Sequence, residues 1–144
     1  MPMTKVLVFG TFDGLHEGHK NFFKQALRQA QGKPKNRPYL IVVVGRDSTI
    51  VKTKGRLPKF NEQERLKAIQ DSKLVSEARL GNEGSNPYKV IKEVMPDVIC
   101  LGYDQTHFTE KLTEKIKEMG MNVQIKRLEP FEPEKYHSSL LNKT

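Results

Sequence analysis

Short apolar runs alternate with polar, periodically patterned stretches along the whole chain. Two of the runs, Lys5 to Phe9 and Tyr39 to Gly45, are rich in β-branched residues and predict buried strands. Between them, Lys20 to Gln31 has its apolar residues at helical spacing. A strand, a helix and a second strand in this order predict a right-handed βαβ unit with parallel strands.

The second half of the chain continues the same alternation. The predicted strands are Leu74 to Leu80, Asp97 to Gly102 and Asn122 to Leu128, and the predicted helices are Tyr88 to Met95 and Thr109 to Met119. Pro96 and Gly120 end the two helices. The last strand alternates polar and apolar residues, which is typical of an edge strand. This pattern predicts an α/β fold, a doubly wound parallel sheet.

The stretch from Arg46 to Arg56 is polar and basic and is predicted to be a connection between the second strand and the next helix. A solvated loop and a ligand-binding segment are both consistent with its residues. The helix that follows is predicted to begin at Asn61, which can cap it, with Glu64 at the capping-box position.

Length and composition narrow the class of protein. A chain of 144 residues, 36% hydrophobic and 29% charged, predicts one soluble globular domain over residues 1–144. No apolar run approaches the ~18 residues that a membrane span needs, and the N-terminus has no signal-peptide pattern. We therefore expect a cytoplasmic protein without a membrane partner. The single cysteine, Cys100, follows Val98-Ile99 and is expected to be a small buried hydrophobic residue.

The net charge of +8 is compatible with two kinds of anionic partner. Basic proteins often bind nucleic acid, and a basic site also attracts polyphosphates. The lysines are spread along the chain, with no arginine-rich block and no stripe of interleaved aromatic residues. We therefore expect no nucleic-acid partner.

The stretch from Gly10 to His19 is a glycine-rich turn between the first strand and the first helix. Glycines allow tight turns and close approach of a ligand to the backbone. The amides that open a helix lack internal partners and carry the positive end of the helix dipole, so they favour a phosphate group. His16 and His19 lie at the mouth of this predicted phosphate site.

Several familiar motifs do not match this turn. It lacks the Gly-Lys-Ser/Thr of a P-loop and the G-x-G-x-x-G of a dinucleotide site. His16-Glu17-Gly18-His19 is one residue shorter than the His-Glu-x-x-His of zinc proteases, so no metal ligands are expected here. An ordinary βα turn with two exposed histidines remains the alternative.

Gly10-Thr11-Phe12-Asp13, Leu15-His16 and Gly18-His19 together resemble the signature of the HxGH nucleotidyltransferase superfamily. The similarity lies in the cytidylyltransferase-like branch, with glycerol-phosphate cytidylyltransferase and archaeal-type FAD synthase. It implies a Rossmann-like fold. The catalytic residues that it implies in this turn are His16 and His19, and the nucleotide-binding residues are Thr11, Phe12, Asp13 and Gly18. Asp13 is also open to a structural role as a cap of the turn.

The basic segment matches the same branch at Arg46-Asp47 and at Lys54-Gly55-Arg56, ahead of a helix that contains Arg65. The resemblance implies that Lys54 acts in catalysis and that Arg56 and Arg65 contact the triphosphate or pyrophosphate. Lys52 is a weaker candidate.

Two C-terminal segments are similar to FAD-synthase-like members. Gly102-Tyr103-Asp104-Gln105-Thr106 implies nucleotide binding by Gly102 and Asp104, with an Asx turn at Asp104 as the alternative. Tyr136-His137-Ser138-Ser139 implies that Ser138 and Ser139 bind a phosphate at a helix start, where an N-cap is the alternative. Residues 129–136 lack the arginine usual in cytidylyltransferases, which favours the FAD-synthase-like members.

The resemblance implies an enzyme that transfers a nucleoside monophosphate from a nucleoside triphosphate to a phosphate-bearing acceptor and releases pyrophosphate. ATP and FMN, which yield FAD, are the favoured pair. The alternatives are CTP with a polyol phosphate such as glycerol phosphate, ATP with a sugar phosphate, and a nucleotide-binding module without activity. A divalent cation such as Mg²⁺, bridged by the substrate phosphates, is the implied cofactor. A homodimer is a further arrangement that the resemblance suggests.

Overall fold

The computed structural model describes residues 3–14, 17–30, 37–81, 87–102 and 109–128. These residues contain five strands and five helices, which alternate except where α2 and α3 follow one another. The strands are β1 (Met3–Gly10), β2 (Arg37–Val44), β3 (Glu77–Leu80), β4 (Val98–Leu101) and β5 (Gln124–Arg127). The helices are α1 (Glu17–Ala30), α2 (Asp47–Lys54), α3 (Glu62–Gln70), α4 (Pro87–Val94) and α5 (Thr109–Glu118).

The five strands form one parallel sheet in the order β3-β2-β1-β4-β5. The strand β1 lies at its centre, where Val6 is opposite Leu40 of β2 on one side and Val98 of β4 on the other. The strand β5 pairs with β4 at the margin of the sheet, as its alternating pattern predicted. The prediction of a parallel α/β sheet is confirmed.

Successive residues of β1 face opposite sides of the sheet, and both sides are covered. Val6 and Val8 pack in one hydrophobic cluster with Phe23 of α1 and Ile69 of α3. Leu7 packs in a second cluster on the other face, whose helix residues are Val90, Ile91, Val94, Leu112 and Ile116 of α4 and α5. Helices on both faces explain why β1 reads as a continuous apolar run, and they make the sheet doubly wound.

Cys100 lies in β4 and is fully buried, as predicted. Burial raises the pKa of its thiol to about 12, and the nearby charge of Lys126 offsets this only in part. The thiol is therefore protonated at neutral pH and packs as a small apolar side chain.

The predicted helix ends at Asn61 and Gly120 are also present in the structure. The Asn61 side chain accepts a hydrogen bond from the amide of Glu64 at 2.8 Å, and the Glu64 carboxylate accepts one from the amide of Asn61 at 3.0 Å. This is a complete capping box. Gly120, just beyond α5, has a φ of +70°, a conformation that favours glycine at a helix end.

The prediction that Arg46 to Arg56 is a loop is wrong, because most of this stretch is the helix α2. Ile50 is buried and attaches the helix to the core, while Val51 remains 40% exposed. Gly55 ends the helix at a φ of +76° and donates its amide to the carbonyl of Val51 at 2.8 Å. One buried position and a run of β-branched residues leave little helical periodicity, so packing and the glycine cap outweigh the weak local preference.

In the part of the chain that the structure describes, no helix is both long enough and apolar enough to cross a membrane. The predicted helix after Tyr136 lies outside the described residues.

Candidate active site

The carboxyl ends of all five strands meet at one edge of the parallel sheet. Hydrogen bonds join neighbouring strand ends there, from the amide of Gly45 to the carbonyl of Gly10 at 2.9 Å and from Gly81 to Val44 at 2.9 Å. The direction of winding reverses between β1 and β4, because β2 and β3 lie on one side of β1 and β4 and β5 on the other. In open α/β sheets, ligands bind in the crevice at such a switch point.

The glycine-rich turn leaves β1 at this edge, and the first turn of α1 contains Gly18 and His19. Gly14 has a φ of +84°, which glycine adopts at no steric cost. Phe12 has a φ of +53°, which is strained for a bulky aromatic residue. Strain of this kind persists only where the surroundings hold the residue firmly.

The surroundings of Phe12 are aromatic. Its buried ring meets the imidazole of His19 edge to face, with the ring centroids 5.4 Å apart, and lies at the same distance from Phe23. A Cβ atom added to Gly10 would lie 2.6 Å from the ring. The structure therefore places Phe12 in the core behind His19, where it fixes the position of the imidazole.

Replacement of Gly10 by alanine tests this packing. The added methyl group would displace the Phe12 ring, which is confined by His19 and Phe23, so we expect kcat to fall by about tenfold and stability to fall by about 1–3 kcal/mol. Gly45→Ala at the end of β2 is the matched control, since its Cβ would have no neighbour closer than 3.6 Å. Steady-state kinetics and thermal unfolding of both variants provide the measurement. Equal losses in the two would contradict the expectation.

Asp13 connects the turn to the segment before α3. Its carboxylate accepts hydrogen bonds from the amides of Lys59 at 2.7 Å and Phe60 at 2.8 Å. Burial alone would raise the pKa of this carboxyl group, but the two amide bonds and the charges of Arg65 and Lys59 outweigh it and lower the pKa. These contacts therefore stabilise the folded state fully when the pH is above 3.8, the ordinary pKa of the group. Their contribution is lost as the pH falls through the lower pKa that Asp13 has in the folded state. The structure shows a structural contact for Asp13.

Arg65 holds four parts of this edge together from inside the protein. The residue is 1% exposed, and its guanidinium donates four hydrogen bonds. The acceptors are the carbonyls of Thr11 (2.9 Å), Gly45 (2.7 Å) and Phe60 (3.0 Å) and the carboxylate of Asp47 (2.7 Å). These contacts use four of the five N–H groups of an arginine, so the side chain predicted to contact the triphosphate serves here as a clamp.

Asp47 and Glu62, which open α2 and α3, have a role that was not predicted from the sequence. The Glu62 carboxylate accepts a hydrogen bond from the amide of Asp47 at 2.9 Å, and the Asp47 carboxylate accepts one from the amide of Glu62 at 3.2 Å. Arg46 adds an ion pair to Glu62 at 3.4 Å. The two helix starts thus cap each other. The sole signal in the sequence was the Arg46-Asp47 pair within the resemblance.

The basic segment lies between β2 and α3. Lys52 and Arg56 are exposed, and Arg56 follows the glycine that ends α2. Lys54 is the last residue of α2, and its side chain lies outside the described part of the structure. The segment returns to the glycine-rich turn through Lys59 and Phe60, so it borders the predicted phosphate site.

The end of β4 carries Gly102, whose carbonyl accepts a hydrogen bond from Arg127 at 2.9 Å. Arg127 pairs in register with Leu101 and was not singled out from the sequence, because nothing local distinguishes it from other basic residues of an edge strand. The predicted site residues that lie outside the described residues are His16, Asp104, Ser138 and Ser139.

Comparison with known proteins gives one family and a consistent set of relatives. The family model described as cytidylyltransferase-like matches residues 7–143. An FAD synthase of Methanobrevibacter smithii is 39% identical over 137 residues, which are 95% of this chain and 86% of that protein. An FAD synthase of Thermoplasma volcanium is 38% identical over 141 residues, which are 98% of this chain and 93% of that protein.

Two solved structures are similar to the described fold. The crystal structure of a protein from Thermoplasma volcanium, described as a lipopolysaccharide core biosynthesis protein, superposes with a TM-score of 0.79. It is 38% identical and covers 90% of this chain and 99% of its own. A protein of unknown function from Archaeoglobus fulgidus gives a TM-score of 0.63 at 20% identity, covering 88% of this chain and 90% of its own, and is similar in fold alone.

Proposed function

Because the chain belongs to the cytidylyltransferase-like family and is a nucleotidyltransferase, we propose that it transfers AMP from ATP to FMN, forming FAD and pyrophosphate. The observation that carries the proposal is the similarity to FAD synthases, which are 33–39% identical across 86–99% of this chain. The arrangement of turn, histidine and helix start at the carboxyl edge of the sheet agrees with it.

The reaction needs positioning more than acid–base chemistry. A phosphate oxygen of FMN attacks the α-phosphorus of ATP, a new P–O bond forms, and the bond to the β-phosphate breaks as pyrophosphate leaves. The attacking oxygen is already anionic, so no strong base is required. We propose that His19, together with His16, donates hydrogen bonds to the α- and β-phosphate oxygens as their charge grows. The contact with Phe12 keeps the His19 ring aimed during this step.

The nucleotide is proposed to lie in the crevice between β1 and β4. The phosphates then meet the turn from Thr11 to Asp13 and the first amides of α1 at Gly18. Gly102 and Asp104 follow β4 and are proposed to bind the nucleoside. The basic residues Lys54 and Arg56, with Ser138 and Ser139, are proposed to hold the rest of the triphosphate.

Nucleotidyltransferases of this type generally use a divalent cation. No group of three or more histidine, cysteine or acidic side chains gathers at a metal-binding distance among the residues that the structure describes. The carboxylate of Asp13, in the glycine-rich turn, already accepts hydrogen bonds from two backbone amides. Such a site fits Mg²⁺, which binds through few protein ligands and many phosphate oxygens and would neutralise the charge of the triphosphate.

Removal of a positively charged side chain from the basic segment should weaken binding of the triphosphate more than binding of the monophosphate. We expect Arg56→Ala and Lys54→Ala each to weaken ATP binding by about 5- to 20-fold and AMP binding by less than about twofold, because the charge acts on phosphates that AMP lacks. Calorimetric titration with both nucleotides measures the difference. Lys92→Ala, an exposed lysine of α4, is the control. Equal losses for ATP and AMP would indicate a structural role instead.

The proposed reaction is tested with the purified protein, Mg²⁺ and FMN, together with either ATP or CTP. Chromatography of the flavin products should show FAD from ATP and little product from CTP. Parallel reactions contain CTP with glycerol phosphate and ATP with a sugar phosphate, and the second pair is suggested by the description of the similar Thermoplasma volcanium structure. If only one of these parallel reactions gives a product, its phosphate-bearing substrate would take the place of FMN as the proposed acceptor. No product from any pair would favour a nucleotide-binding module.

The homodimer suggested by the resemblance remains a separate proposal. Sedimentation equilibrium of the purified chain tests it directly, since the mass of one chain is 16.5 kDa.

A further inference from the structure

Large exposed apolar side chains are concentrated beside the candidate active site. The described residues include four of them, and three fall within ten residues of one another, namely Val51, Leu57 and Phe60. Single exposed apolar residues are common on protein surfaces, whereas a group of them next to a ligand site indicates a contact surface. We call these three residues the apolar rim.

Phe60 belongs to the apolar rim and is held at both of its backbone polar groups. Its amide donates to the carboxylate of Asp13 at 2.8 Å, and its carbonyl accepts from the guanidinium of Arg65 at 3.0 Å. Both backbone polar groups are therefore fixed, yet the residue is 40% exposed. A backbone held in this way need not be ordered again when a ligand covers the residue.

The ring of Phe60 also lies against the glycine-rich turn. A Cβ atom built on Gly14 would be 3.5 Å from the Cε2 atom of Phe60, an ordinary contact distance. Gly14 itself lacks this atom, so no side chain from this position covers the ring. The exposed residue Lys59 precedes Phe60 in the chain and adds positive charge to this segment.

The apolar rim and the proposed nucleotide crevice lie on opposite sides of β1 at the carboxyl edge of the sheet. That crevice lies between β1 and β4, whereas the apolar rim follows β2, which pairs with the opposite side of β1. The glycine-rich turn and the start of α1 lie between the two. Two ligands whose phosphates meet at the turn can therefore approach it from opposite sides.

We propose that Phe60 is the platform on which the flat aromatic ring system of the acceptor stacks, with Leu57, exposed three residues earlier in the chain, as a second apolar contact. This inference rests on the proposed function, since FMN joins a planar tricyclic ring to a phosphate tail. The flat face of the ring suits Phe60, its apolar benzenoid end suits Leu57, and the phosphate suits the positive charge of Lys59. A polyol phosphate has no surface that would cover the apolar rim, so Phe60 selects the class of acceptor.

Kinetics with one substrate varied at a time test the platform. We expect Phe60→Ala to raise KM for FMN by about 10- to 100-fold, the range that loss of an aromatic stacking contact gives, and to change KM for ATP by less than about twofold. Phe60→Trp keeps an aromatic face and should stay within about threefold of the wild-type KM for FMN. Met95→Ala removes the fourth exposed apolar side chain, which lies at the opposite end of the sheet, and should change neither constant.

A second variant and a second readout guard against a structural explanation. Phe60→Leu keeps apolar bulk against the turn but has no aromatic face, so it should resemble Phe60→Ala in KM for FMN. The chain has no tryptophan, so Phe60→Trp introduces a unique fluorophore whose emission FMN should quench on binding. Thermal unfolding of all variants should match the wild type, because the ring is partly exposed.

The outcomes separate this inference from the proposed function. FAD formation by the wild type with an unchanged KM for FMN in Phe60→Ala would overturn the platform alone. A loss shared equally between FMN and ATP, or a Phe60→Trp variant as impaired as Phe60→Ala, would overturn it as well. Absence of FAD from the wild-type reaction would remove the proposed function and the platform together.

Discussion

Replacement of His19 by alanine is expected to lower kcat for pyrophosphate release by at least about 100-fold, because a donor aimed at phosphate oxygens acts mainly on the transition state. KM for ATP should change little for the same reason. The fold should survive, since the lost edge-to-face contact with Phe12 contributes only about 0.5–1.5 kcal/mol. His16→Ala is expected to show the same loss on the basis of the sequence motif.

The control is Lys24→Ala, an exposed position on the same helix. It removes a side chain from α1 without touching the turn, so its kcat should equal that of the wild type. Thermal unfolding of each variant separates a catalytic loss from a folding defect. Near-normal turnover in both histidine variants would contradict the catalytic role proposed for these residues.

Arg65→Ala is expected to have the largest effect on stability. It leaves three backbone carbonyls and the carboxylate of Asp47 without their buried donor. Removing one member of a buried ion pair costs about 3–5 kcal/mol, and the partial exposure of Asp47 favours the lower end, near 3 kcal/mol or roughly 10 °C in Tm. Differential scanning calorimetry of the protein without nucleotide measures this loss.

Two further variants sharpen the result. Arg65→Lys keeps the charge but cannot reach four acceptors, so it should recover only a small part of the stability. Lys67→Ala, which removes an exposed ion pair with Asp71, should change Tm by no more than about 2 °C. An unchanged Tm in Arg65→Ala together with weakened ATP binding would contradict the clamp and support the triphosphate contact that the sequence resemblance implied.

The fold could be predicted wherever a segment carried its own periodicity. The strands β1 and β2 and the helix α1 have clear apolar patterns, and Asn61 with Glu64 has a local capping signature. The helix α2 could not be predicted in this way, because Ile50 is the one buried residue among those of its side chains that the structure describes. The helix ends at a glycine cap, and because glycine is equally common in loops, this residue did not indicate a helix.

The candidate site was predictable as far as its contacts are local. The glycine-rich turn and His19 lie within one stretch of chain, and their motif could be read directly. The partners of Arg65 lie 18 residues away at Asp47 and 54 residues away at Thr11, so local residue patterns could not distinguish a buried clamp from an exposed phosphate ligand. The strained backbone of Phe12 is equally invisible to residue patterns.

The hydrogen bonds that Arg65 and Asp13 make with residues 59 and 60 use only backbone atoms of those two residues. Arg65 donates to the carbonyl of Phe60, and Asp13 accepts from the amides of Lys59 and Phe60. The side chains at these two positions can therefore diverge during evolution while the scaffold beneath them stays the same. A segment anchored in this way offers a place where an ancestral enzyme could exchange one acceptor for another, and where a designer could attempt the same exchange with a few substitutions.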